Sequence, residues 1–132
     1  MINAKKIYNE IINDSRIVEL IGEDNIFDAY PNSVETFPCV IYLEGNQNDV
    51  EFADNLPIAN SCSVDIHIFT KALKNYPTTS EIGIVVGEVF KENYFVCTSN
   101  LETVDDNPEV RHRVMSFRKE IFALFSIILK LM

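Results

Sequence analysis

The chain has 132 residues, 47% of them apolar and 23% charged, with a formal net charge of −9. That length fits one domain, 1–132, with a real core, and the composition excludes a disordered chain. A balance this acidic disfavours docking on DNA, RNA or an anionic membrane, because like charges raise the potential against a polyanion.

Met1 to Lys6 runs straight into a helical pattern and reads as no secretory leader, since neither an apolar stretch nor a cleavage site follows. Ala4 to Asn13 is an amphipathic helix with Ile7, Tyr8, Ile11 and Ile12 on one face. Asp14-Ser15 caps a short second helix, Arg16 to Ile21, that closes at Gly22. Ile26 to Tyr30 is a short strand ended by a turn at Pro31-Asn32-Ser33. Pro38 to Leu43 is a β-branched and aromatic run, predicted to be a strand buried on both faces or nearly so. Glu44 to Asn60 is acidic and rich in Asn, which predicts a long hairpin connection, of a length that tends to carry function.

Ser61 to Thr70 alternates with period two, sending Val64, Ile66 and Ile68 one way and Asp65, His67 and Phe69 the other. Thr78-Thr79-Ser80 caps a helix carrying Ile82, Val85, Val86, Val89 and Phe90 at helical spacing, and Gly83 and Gly87 mark its close approach to a sheet. Tyr94 to Thr98 and Leu101 to Val104 form one strand region, bulged at Ser99-Asn100. Asp105 to Pro108 is a turn, and Val110 to Phe122 a further strand. The apolar run Ile121 to Leu129 falls short of the ~20 residues of a membrane span and reads as a core or interface element, possible helix included. The expected fold is α+β: a mostly antiparallel sheet of four to five strands with helices packed on one face.

No constellation in the sequence points to catalysis, a metal or a cofactor. His67 and His112 lie in separate strands, neither beside a second ligand at zinc spacing. Cys39, Cys62 and Cys97 are widely separated, without C-x-x-C or an electropositive setting, and read as small apolar residues of a reduced, cytoplasmic protein. Glu23-Asp24 and Asp105-Asp106 lack the cleft of a carboxylate pair. Asn46, Asn48, Asp49, Glu51 and Asp54 lack the spacing and turn glycine of a calcium loop. No G-x-S-x-G is present, and four glycines leave no phosphate-cradling loop.

Charge is divided along the chain instead. From Ile17 to Thr70 there is no Lys or Arg, while Asp and Glu recur throughout. Arg111, Arg113 and Arg118, with Lys119, make the basic cluster on the last strand. An acidic first half and a basic last strand are complementary, which suits head-to-tail association of copies with Arg111, Arg113 and Arg118 at the subunit interface. A heterologous contact of that kind closes into a ring if its rotation allows.

Ser15-Arg16-Ile17-Val18-Glu19-Leu20-Ile21-Gly22, the strand to Tyr30-Pro31 and Phe37-Pro38-Cys39-Val40-Ile41-Tyr42 together are similar to the tail terminator (tail completion) family of long-tailed bacteriophages. Ser63 to Phe69, the helix opening at Thr79-Ser80-Glu81-Ile82 and the closing strand Arg111-His112-Arg113-Val114-Met115-Ser116-Phe117 fit the same outline, which covers the chain to about Phe122. The apolar ending, Phe125 to Met132, departs from it. The resemblance implies a small α+β virion subunit, made in the host bacterial cytoplasm. It implies a hexameric ring at the head-proximal end of the tail tube that stops tube growth and docks the head–tail connector. It implies no enzyme activity and no cofactor. Its partners are further copies, the tail tube protein and the connector protein, with no membrane, and DNA passes through without specific binding. In that setting Asp49, Glu51 and Asp54, on the long loop, face the channel or the tube. The alternatives are a head–tail joining protein or tube subunit, a small acidic cytoplasmic enzyme or ligand-binding domain, and a DNA-mimicking inhibitor.

Overall fold

Capping side chains start all three helices. Asn3 accepts from the Lys6 amide to open α1 (Ala4–Ile12), and Asp14 accepts from the Arg16 amide to open α2 (Ser15–Ile21). Thr78 and Glu81 form a reciprocal capping box at the head of α3 (Thr79–Glu92). The computed structural model describes residues 3–31, 33–53 and 56–122. A single 3-10 turn, Glu23–Asn25, leads from α2 into β1 (Ile26–Asp28). The other strands are β2 (Cys39–Ala53), β3 (Leu56–Lys71), β4 (Val96–Thr103) and β5 (Val110–Phe122), in the sheet order β1-β2-β3-β5-β4.

The sheet is antiparallel except for the parallel β1–β2 pair, so the α+β architecture is as expected. Alternation divides its faces. Val40, Tyr42, Val64, Ile66, Ile68, Met115 and Phe117 point to the helices, where they meet Tyr8 and Ile12 of α1, Ile17 of α2 and Ile82, Val86 and Phe90 of α3 in one buried core. Cys39, Ile41 and Phe69 point the other way into a smaller apolar cluster, roofed by Phe27, Val34 and Phe37. That second cover is why β2 begins as a run buried on both faces. Gly83 lets α3 lie close on β5: a Cβ there would come within 3.2 Å of Arg113 Cδ and 3.3 Å of Met115 Sδ.

Two expectations need correction. The stretch from Glu44 to Asn60 is strand, not loop: β2 runs on to Ala53 and β3 begins at Leu56. Asn, Asp and Gly disfavour strands as isolated residues, but β3 is paired on both sides, by β2 to Leu56 and by β5 to Ala59. Register shifts after Glu44, Asp49 and Glu51 absorb the misfit, as β-bulges do. At the first of these, a Cβ on Gly45 would run into Ser63, so the close approach itself selects glycine. The region before β5 is also one continuous strand, β4, whose register shifts between Cys97 and Ser99 and not at Ser99-Asn100. The expected helix or core element after Ile121 falls, from Ala123 on, outside the described residues.

Candidate functional site

β5 distributes the predicted basic cluster over both faces of the sheet. Arg113 lies on the helix side, where Nε donates to Thr79 Oγ1 (3.2 Å), Nη1 to Asn100 Oδ1 (3.0 Å) and Nη2 to Ser80 Oγ (3.0 Å). Its guanidinium therefore rivets the head of α3 to β4, a task that Thr79 Oγ1 reinforces by donating to Glu102 Oε1 (3.0 Å). Arg111 is exposed two residues earlier on the same strand. Arg118 has the opposite parity and lies on the open face, where Nε donates to Ser61 Oγ at 2.7 Å and Nη2 stands 3.6 Å from Glu120. The period-two rule applied to positions 111, 113 and 118 already separates the third from the first two.

Asp49 and Glu51 sit on β2, opposite Asn60 and Ala59 in register, at the far end of the β2–β3 hairpin. Asp54 lies outside the described residues. Asp49 and Glu51 thus belong to a hydrogen-bonded ribbon, which gives them a backbone direction that a solvated loop lacks.

β4 is the outer strand of the sheet, and seven of its eight residues are exposed. Val96 (65%) and Leu101 (52%) stand on its open-face side, with Tyr94 (82%) just before it and Ile84 (62%) across from it on α3. Between α3 and β4 runs a groove of about 540 Å³ whose floor is Gly83, Gly87, Cys97, Asn100 and Met115. The strand contains no Lys, Arg or Pro, the residues with which monomeric proteins blunt a sheet edge. Sequence reading identified the strand but not its exposure, because the signal is that no second element among the described residues covers it.

The open face also gathers residues that the sequence keeps apart. His67 on β3 and His112 on β5 approach to 2.8 Å (Nδ1 to Nε2). Tyr30 Oη is 2.9 Å from the same His67 Nδ1, and Asp105 Oδ1 is 3.2 Å from His112 Nδ1. Burial, and then the neighbouring His112, lower the pKa of His67, against a smaller raising effect of Asp65. Alternation had placed His67 on this face; what was missing was the β3–β5 pairing, which skips a helix and a strand.

Serine, histidine and aspartate all occur here, yet not as a nucleophilic relay. Ser116 Oγ donates to Asp65 Oδ1 (2.7 Å), so its proton is committed to a carboxylate and not offered to an imidazole. Burial pushes the Cys39 thiol up to about 11 and raises that of Cys62, the opposite of an activated thiolate. Among the described residues no three His, Cys, Asp or Glu side chains come together as a metal-binding group. No helix among them is long and apolar enough to cross a membrane.

No family model and no curated protein matches the chain. Among solved structures, a chain of the "virion of native gene transfer agent (GTA) particle" has a similar fold, with a TM-score of 0.58 at 13% identity. The match covers 89% of this chain and 92% of that one, so the two share their fold over most of their length.

Proposed function

We propose that this protein is a structural subunit of a phage-like virion, a tail terminator that forms a ring at the head-proximal end of the tail tube and joins it to the head connector. The observation that carries this reading is the fold likeness, over most of both chains, to a chain of a gene transfer agent virion. An exposed sheet edge free of Lys and Pro, beside a largely apolar groove, supports it, because such an edge can pair with another chain. In this reading β4 and its groove form the contact between copies, Arg111 and Arg118 meet the acidic first half of the neighbouring copy, and Arg113 holds β4 in position. Tube protein and connector are the further partners, and the role calls on no catalytic residue or cofactor.

Native mass spectra and negative-stain images over a concentration series test the proposal. A closed six-membered ring with a central hole is the expected result. Filaments would make the protein a tube subunit instead, and a monomer at every concentration that also fails to bind purified tail tubes would overturn the reading.

The acidic hairpin has its own test. Asp49, Glu51 and Asp54 are proposed to face the channel or the tube, where like charge lets DNA slide through without being held. Replacing all three by Lys is expected to lower phage titre at least about tenfold, since each Lys adds a phosphate contact that raises affinity for DNA. An unchanged titre would remove the hairpin from the channel.

A further inference from the structure

We propose that His67, His112, Asp105 and Tyr30 form a proton-operated latch that fastens the chain following β1 over the open face of the sheet. Tyr30 follows β1 at one edge and Asp105 follows β4 at the other, while His67 and His112 sit on β3 and β5, two of the three strands between them. The four side chains thus tie both margins of the sheet to its middle. Ring packing supports the same arrangement: Tyr30 meets His67 and Phe69 edge-on at 5.3 and 6.4 Å, and His112 stacks on Phe69 at 4.0 Å.

The hydrogen bonds fix where the protons are. A carboxylate can only accept, so His112 Nδ1–H donates to Asp105 and leaves the Nε2 lone pair aimed at His67. His67 Nδ1–H then donates to that lone pair, with Tyr30 Oη as a second acceptor. One further proton on the pair is accommodated by reversing the bond, His112 Nε2–H then donating to a His67 tautomer protonated on Nε2. A second further proton is not tolerated, because two N–H groups would face each other across 2.8 Å with two like charges behind them. The same distance suits a shared proton better than a metal ion, on which two tetrahedral nitrogen ligands at ~2.05 Å stand about 3.3 Å apart.

The surroundings set the direction of the response. β2 places uncharged Ile41 opposite His67, and β4 places uncharged Thr103 opposite His112. Asp65, next but one on β3, and Asp105 are the acids that face the pair, and Asp65 is already engaged by Ser116. Because His67 is held below the ordinary imidazole value of ~6.5, an opened form binds the last proton before the closed form does. The closed form therefore keeps its full advantage above that value and loses it as pH falls through the interval beneath. Opening uncovers the apolar cluster of Ile41, Phe69, Val34 and Phe37.

The test uses the full chain as a monomer and does not depend on virion assembly. Histidine ring resonances are followed by NMR from pH 8 to 4.5, together with amide exchange of residues 33–37. The His67 ring is expected to titrate below the ordinary imidazole value. Amide protection at 33–37 is expected to fall about tenfold between pH 7.5 and 5, while α3 stays protected. His112→Gln and Tyr30→Phe should flatten that dependence. A His67 titration at the ordinary value, or exchange at 33–37 that ignores pH in the wild-type chain, would overturn the latch, and neither outcome relies on a variant that folds.

Discussion

Phe117→Ala is expected to cost about 3–5 kcal/mol of stability, the range for removing a buried phenylalanine. Phe117 is 1% exposed and stacks on Phe90 of α3, with ring centroids 4.4 Å apart and planes 13° from parallel. Phe90 is met edge-on by Phe95 at 5.3 Å, and Phe95 in turn by Tyr8 of α1 at 6.0 Å. One ring on β5 thus anchors a file of aromatics linking two helices to the sheet, and truncation leaves a cavity that three elements must close together. Domains of this size hold only ~5–15 kcal/mol in total, so the variant should lose roughly a fifth or more of it. Its melting temperature is expected to fall by roughly 10–20 °C. Val104→Ala, at a position 95% exposed, is the comparison and should stay within about 0.5 kcal/mol of wild type. If denaturant melts place the two variants together, the helices do not pack on β5 through this ring.

How much of this was legible depended on whether the information was local. The cap at Thr78, the Asp14 cap and the alternation of β3 are each settled within a few residues, and each appears where the pattern placed it. The helical pair Gly83 and Gly87 likewise meets Met115 of the sheet. The hairpin beyond Glu44 was illegible because Asn, Asp and Gly carry turn chemistry, and the strand conformation of Gly45 to Asp49 is imposed by β3, which β5 backs as far as Ala59. The His67–His112 pair was illegible for a related reason: two residues 45 apart meet only once β5 is known to insert between β3 and β4. Arg118 is the instructive case, since its separation from Arg111 and Arg113 was contained in the strand period and obscured by reading the three as one cluster.

Val96→Lys combined with Leu101→Lys is expected to abolish the proposed ring while leaving the monomer folded. Both side chains are more than half exposed, so neither substitution removes a buried group, and each should change monomer stability by no more than about 0.5 kcal/mol. In a copy-to-copy contact along β4 the same two side chains become buried. Covering their remaining surface contributes roughly 2–3 kcal/mol per contact on the scale of about 1.5–3 kcal/mol for burying a whole aliphatic side chain. Losing that, and desolvating two ammonium groups in its place, should weaken association by at least about a hundredfold, at ~1.4 kcal/mol per factor of ten. Lysine on a strand edge is also the substitution that natural monomers use to prevent edge pairing, so geometry and energetics point the same way. Sedimentation velocity measures the assembly state and a thermal melt the fold, separating a failed contact from a failed subunit. Should the double variant assemble with wild-type stoichiometry and affinity, β4 is not the contact, and the join between copies must be sought on the faces that carry Arg111 and Arg118.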